Sequence, residues 1–166
     1  MSRFTYPHTI DNGFGERLTF LRLVDDGDGG CLEVENVVAP GAGPIMHVHH
    51  HQAESLTVRA GRIGYQLLGE EERYAGVGET VEFKAGVAHR FWNAGEEPLH
   101  CTGWIRPAHN IVFFLDAIFA STKENGNGRP HPVDAAFLSR RYRREFAMLA
   151  VPNPVQALLF PILVVF

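Results

Sequence analysis

Apolar and polar residues alternate in short runs over the first two thirds of the chain and change to a longer period after residue 110. Alternating or β-branched segments recur near residues 17 to 24, 31 to 39, 45 to 49, 55 to 59, 62 to 68, 79 to 83, 87 to 92 and 98 to 105. Turn-forming stretches separate them, among them Asp25-Asp26-Gly27-Asp28-Gly29-Gly30, Pro40-Gly41-Ala42-Gly43-Pro44, Ala60-Gly61 and Ala94-Gly95-Glu96-Glu97-Pro98. Many short strands at close spacing predict a sandwich or barrel, and no helical pattern between them supports a parallel βαβ sheet. About 13 residues precede the first expected strand, too few for an appended DNA-binding helical module.

Beyond residue 110 the spacing of apolar positions becomes three and four. Asn110 precedes Ile111-Val112-Phe113-Phe114-Leu115, with Ile118 and Phe119 following, which predicts a capped helix ending before the Asn125-Gly126-Asn127-Gly128 break. Ala135, Leu138, Tyr142, Phe146 and Leu149 predict a second helix over 133 to 149, with Arg140, Arg141, Arg143 and Arg144 on its solvated side. The last segment, Pro154 to Phe166, is nearly all apolar and interrupted by Pro161. It is shorter than the roughly 20 residues a bilayer-crossing helix needs. Its apolar face is expected to be buried on the barrel, the tail helices or a second subunit, which predicts a homodimer. The division expected is a β-barrel over 1–107 and a helical extension over 108–166.

Composition narrows the function classes without choosing one. The 166 residues suffice for one domain with its own core. A net charge of −4 argues against nucleic acid or anionic lipid as a partner. Cys31 and Cys101 are too few for a disulfide framework, and no basic, then apolar leader opens the sequence, so a cytoplasmic location is expected.

The candidate chemistry lies between Gly41 and Gly61. His47 and His49 are two apart, so on a strand both imidazoles leave the same face. Glu54 lies five beyond His49, an odd offset that requires a turn, placed at His50-His51-Gln52-Ala53; the pair and the carboxylate are expected on neighbouring strands facing inward. With His89 they make three imidazoles and a carboxylate, a donor set suited to a divalent iron, manganese, nickel or zinc ion. His50 and His51 are expected at the barrel mouth, and His8, His100, His109 and His131 as structural or solvent-facing.

The stretch G-x5-H-x-H-x4-E-x6-G, filled by Gly41, His47, His49, Glu54 and Gly61, resembles the first motif of the cupin superfamily. The second motif, G-x5-P-x-G-x2-H-x3-N, is matched by Gly78, Gly86, His89 and Asn93, with Lys84 where proline is expected. The resemblance implies an all-β fold, the cupin double-stranded β-helix or jelly-roll barrel, here with a C-terminal helical extension. It implies one divalent metal ion held by His47, His49, Glu54 and His89, with a small molecule as ligand or substrate. With Fe(II) it points to a dioxygenase-like reaction on flavonol-like or diketone compounds; with zinc, manganese or nickel, isomerisation or hydrolysis becomes the expectation. A cupin that binds a small ligand without turnover is the competing class.

Parity extends the reading to the pocket wall. Counted from Glu54, Leu56 and Val58 face inward; counted from His89, Phe91 and Asn93 do. Ile63, Tyr65, Leu67, Val81 and Phe83 are expected to join them. The wall is apolar, with Tyr65, Phe83 and Phe91 as substrate-pocket residues, and favours a small aromatic or lipophilic molecule. Tyr65 and Glu35 are the candidates for a separate general base.

Overall fold

In the computed structural model, residues 4–149 are described. The apolar segment from Pro154 lies outside them, and its expected burial or pairing with it. In chain order the elements are β1 (His8–Asp11), β2 (Glu16–Val24), β3 (Cys31–Val38), β4 (His47–His49), β5 (Ala53–Ala60), β6 (Ile63–Leu67), β7 (Arg73–Ala75), β8 (Thr80–Phe83), β9 (His89–Asn93), β10 (Leu99–Arg106), α1 (Ile111–Asn125), α2 (Pro132–Arg141) and β11 (Phe146–Met148). The strands form two antiparallel sheets, one ordered β1-β2-β3-β10-β5-β8 and the other β11-β4-β9-β6-β7.

Strict alternation shapes the inner face of the larger sheet. On β3, Leu32, Val34, Asn36 and Val38 are buried while the residues between them are not. Facing them across the sandwich, Ile63 on β6 and Phe91 on β9 complete a cluster with Leu56, Val58, Val81, Phe83, Leu99 and Cys101. Every residue that parity turned inward is either buried or, for Tyr65 and Leu67, packed half-buried against this cluster. A second cluster joins Ile10, Leu18, Phe20, Leu32, Val34 and Ile105 to one face of α1 through Ile111, Val112, Phe114, Ile118 and Phe119. The helical segment therefore closes the part of the larger sheet that the shorter one leaves uncovered.

Three expectations are corrected. The histidine pair and the carboxylate do not sit on neighbouring strands: β4 belongs to one sheet and β5 to the other, because the His50–Gln52 reversal carries the chain across the sandwich. The second helix ends at Arg141 instead of 149. Tyr142 donates its N–H to Leu138 O, a tight turn follows, and Phe146 to Met148 form β11 beside β4, with Phe146 opposite His49 and Met148 opposite His47. The Asn110 side chain makes no cap to α1; its amide and its backbone N–H both donate to Glu145, at 2.6 and 3.1 Å. The four arginines from 140 to 144 are exposed, as the sequence suggested.

The loop where lysine replaces the motif's proline still turns. Lys84 O accepts from Val87 N at 3.2 Å, and Gly86 supplies the left-handed backbone at φ 77° that an L side chain resists. Its N–H donates to His49 O at 2.7 Å, so this turn ties the two motifs together.

Candidate metal centre

Three imidazoles approach from one sheet and one carboxylate from the other. His47 on β4 and His89 on β9 are register partners, with ring centroids 4.5 Å apart, and His49 lies two residues further along β4. Glu54, near the start of β5, points back across the sandwich. One donor atom from each of the four lies within 4.8 Å of the other three. His49, Glu54 and His89 are buried and His47 is half-buried at the rim.

Each imidazole has its Nδ1 engaged on the side away from the carboxylate. His47 Nδ1 donates to Ile45 O at 2.7 Å, His89 Nδ1 to Val87 O at 2.9 Å, and His49 Nδ1 to Gln52 Oε1 at 3.2 Å. The last assignment is forced, because the Gln52 amide nitrogen donates to Ala108 O at 3.0 Å and leaves only its oxygen for His49. With Nδ1 donating to these acceptors, each ring turns Nε2 to the centre, the atom that would ligate a metal. Glu54 Oε2 lies 3.3 Å from His89 Nε2 and 3.7 Å from His49 Nε2. The shorter of these contacts is a hydrogen bond between the His89 ring and the carboxylate, and a cation at the same point would take the place of its proton.

The electrostatics agree with that donor set. Burial pushes the His47 imidazole down to about 3, with repulsion from His49 and His89 in the same direction. Burial lowers His49 too, against the pull of Glu54. Burial alone would raise Glu54, but the His89 imidazole and the other two rings hold its carboxyl at about 2. At neutral pH the His47 and His49 imidazoles are therefore neutral and Glu54 is a carboxylate, the forms that ligate a metal.

The surroundings are apolar. Phe83 stacks flat on His89 at 3.9 Å between centroids and 5° between planes, Tyr65 meets Phe83 edge-on at 6.2 Å, and Phe146 packs edge-on against His49. Phe83 and Phe91 are buried and Tyr65 is half-buried. A groove of about 630 Å³ lies elsewhere, along the outer face of β6 and β9, where Gln66, Arg90 and Trp92 project. None of the four cluster residues lines it, and Phe91 alone of the expected pocket residues does.

One candidate is removed, and the remaining histidines stand outside the cluster as the sequence suggested. Glu35 faces outward on β3 and is bound to His100 at 2.6 Å, so parity removes it as a general base at this centre. His50 and His51 are exposed; His8 pairs with Asp116 and His131 caps α2, all outside the cluster. Gln52 and Phe146 were missed: one is a single polar residue in a turn, the other was absorbed into a helical spacing. Glu16, the first residue of β2, was missed as well. It is a buried carboxyl whose pKa burial raises to about 7, against a hydrogen bond from Asn36 and with the Glu54 charge adding to the rise.

Glu16 makes stability depend on pH in a defined sense. Its folded value lies above the 4.5 of the free side chain, so its contribution is complete below 4.5 and is lost as the pH rises through about 7. Between pH 5 and pH 9 the parent is expected to lose roughly 3 kcal/mol relative to Glu16→Gln, which cannot ionise. Urea unfolding of both proteins across that range checks it; parallel profiles would show that Glu16 ionises freely in the folded chain.

Two facing antiparallel sheets with three imidazoles and a carboxylate between them define a cupin-type barrel. Residues 35–105 match the family model described as Cupin domain. Among curated proteins it is 34% identical over 68 residues to "Probable oxidoreductase virH" of Hypocrea virens, a stretch covering 40% of this chain and 31% of that protein. Among solved structures it resembles AerE from Microcystis aeruginosa, with a TM-score of 0.53, 19% identity, and 61% of this chain and 46% of that chain covered. A Klebsiella pneumoniae protein with a double-stranded beta-helix domain matches with a TM-score of 0.48 and 22% identity, over 63% of this chain and 82% of that one. Among the described residues no helix is long and apolar enough to cross a membrane.

Proposed function

We propose that this cupin is a metal-dependent enzyme of dioxygenase-like type acting on a small aromatic or enolic molecule, with His47, His49, Glu54 and His89 holding one divalent ion. The observation that carries the reading is the convergence of four donors within 4.8 Å, three of them imidazoles whose Nδ1 atoms are already bonded elsewhere. Four donors leave room in a five- or six-coordinate shell for an oxygen-bearing ligand. The likeness to a protein named as a probable oxidoreductase supports the oxidative part of this reading, with iron, manganese, nickel and zinc all suited to the donor set. An iron(II) ion bound there would supply Lewis acidity and a site for dioxygen chemistry.

The chain's own residues supply the rest. Ionised Glu54 balances the charge of a cation, and the fixed Nδ1 bonds keep the imidazole lone pairs aimed inward without reorganisation. Tyr65, Phe83 and Phe91 give a wall that suits an aromatic ring and keeps water out, and half-buried His47 marks the side from which a ligand enters.

Oxygen uptake by iron-loaded protein, purified without a histidine tag, tests the reading against a panel of flavonols, β-diketones and catechols. Uptake with at least one of them, absent in His89→Ala, is the expected result. Stoichiometric iron with saturable ligand binding and no uptake or product would make the chain a binding module.

Gln52 offers a subtler test of the same centre. Gln52→Leu removes the acceptor that orients His49 and is expected to weaken metal affinity about 10- to 100-fold while leaving saturating stoichiometry at one ion. Competition against a chromophoric chelator measures this, and an unchanged affinity would show that His49 needs no such support.

A further inference from the structure

The strand that carries two of the three imidazoles is held only narrowly by the barrel itself. Strand β4 has three residues, and its register with β9 consists of His47 opposite His89. On that side the Gly86 N–H adds a bond to His49 O. On its other side β4 pairs with β11 over its whole length, with Phe146 opposite His49, Ala147 opposite Val48 and Met148 opposite His47. Backbone bonds carry this pairing past both ends, from His50 N to Glu145 O at 2.8 Å and from Leu149 N to Met46 O at 2.9 Å. The Phe146 ring also stands edge-on to the His49 imidazole, with centroids 5.4 Å apart.

Strand β11 is itself an edge strand of three residues, too short to keep its place by backbone pairing alone. The residue before it fastens it. The Glu145 carboxylate accepts from the Asn110 side-chain amide at 2.6 Å on one oxygen and from the Asn110 backbone N–H at 3.1 Å on the other. Asn110 immediately precedes α1, in the turn where Ala108 O receives the Gln52 amide at 3.0 Å. His49 is thereby tied to residues 108–110 by two routes, its ring through Gln52 and its backbone through β11 and Glu145. Between the two attachment points His109 adopts φ 42°, the left-handed backbone that a side chain resists, and among the described residues no other non-glycine has a positive φ. Such a conformation persists where the contacts around it leave the chain no alternative.

We propose that β11 is a strap whose attachment is linked to metal occupancy, with Asn110 and Glu145 as the positioning residues that fasten it. Closed, the strap holds the His47 and His49 imidazoles where His89 and Glu54 can share an ion with them. Released, it leaves β4 as an edge strand with only its narrow seam to β9. An ion bound by all four residues favours the closed strap, and the closed strap tightens the ion by the same factor. The inference rests on the reading of the four donors as a metal site, and it adds a means by which the C-terminal part of the chain sets the affinity of that site.

The test uses the full chain and Zn(II), with affinity measured by competition against a chromophoric chelator. Asn110→Asp sets two carboxylates against each other across the clasp and is expected to weaken Zn(II) binding about tenfold. Combining it with Glu145→Gln reverses the side-chain bond while keeping the backbone one, and is expected to restore the parental affinity. A pair that served stability alone would show no such loss and recovery of affinity. In the parent, hydrogen exchange at the His50 and Leu149 amides, which close the two ends of the β4–β11 pairing, is expected to slow about tenfold when Zn(II) binds. Parent-like affinity in Asn110→Asp, an equal loss in the combined variant, or exchange indifferent to Zn(II) would overturn the strap and leave the metal site standing. Should Asn110→Asp fail to fold, Glu145→Ala removes the clasp without adding charge and is expected to show the same loss of affinity. A parent that binds neither Zn(II) nor Co(II) would instead remove the metal-site reading and this inference with it.

Discussion

His89→Ala is expected to abolish tight metal binding and to destabilise the fold by about 3–5 kcal/mol. The two losses have separate causes. His89 is almost fully enclosed and supplies one of the four converging donors, so its removal takes away a ligand and the packing that aligns the others. It is also the group nearest the Glu54 carboxylate, at 3.3 Å, and the surface on which Phe83 stacks. Alanine leaves a buried charge short of a partner and a ring over a void. Glu54→Gln separates the effects, because it keeps the volume and removes the charge. It should lose most of the metal affinity at a smaller cost in stability. Metal titration and urea unfolding of both variants measure the outcome; parent-like affinity in either would remove that residue from the ligand set.

Gly103→Ala is expected to cost about 3–5 kcal/mol although it adds a single methyl group. Gly103 lies in the middle of β10, between β3 and β5, opposite Val34 on one side and Leu56 on the other. A Cβ there would run into the Ser55 carbonyl oxygen and approach its carbon to 2.8 Å and the Leu56 Cα to 3.2 Å. These are backbone atoms of a central strand, which cannot swing aside as the end of a side chain can. Ser55 is also the neighbour of Glu54, so a shift large enough to admit the methyl group moves the carboxylate away from the imidazoles. Unfolding in urea, with metal affinity measured on the same sample, tests both parts. A loss below about 1 kcal/mol would show that β10 can draw back from β5.

Periodicity and spacing account for what was legible in the sequence. The strands from Glu16 to Arg106 that carry a clear alternation were placed to within about two residues, because a half-buried sheet writes its two-residue period into the chain. The three imidazoles and Glu54 were legible as a cluster because the spacing of barrel turns around a pair of glycines is rigid. Which sheet Glu54 would join was not legible: a short polar reversal reads the same whether the chain returns within a sheet or crosses to the facing one. The strands β1, β7 and β11 have three or four residues each, too few for a period to show. In β11 the residues Phe146 and Leu149 also continue a spacing of three and four from the helix before them, so local pattern favoured helix until pairing with His47 to His49 decided otherwise. Gln52 and Glu16 matter through partners distant in sequence, Ala108 for the first and Asn36 for the second, and no local signal announces such a partner.

The central claim is that the four donors form one metal site, and elemental analysis of the untagged full chain beside His47→Ala tests it most directly. His47 is the half-buried member of the cluster, so its replacement disturbs the core least and isolates the effect on the ion. The account predicts close to one divalent ion per parent chain and a large loss in the variant. Equal metal in the two proteins, or none in the parent even after iron, manganese, nickel and zinc are each supplied, would contradict it.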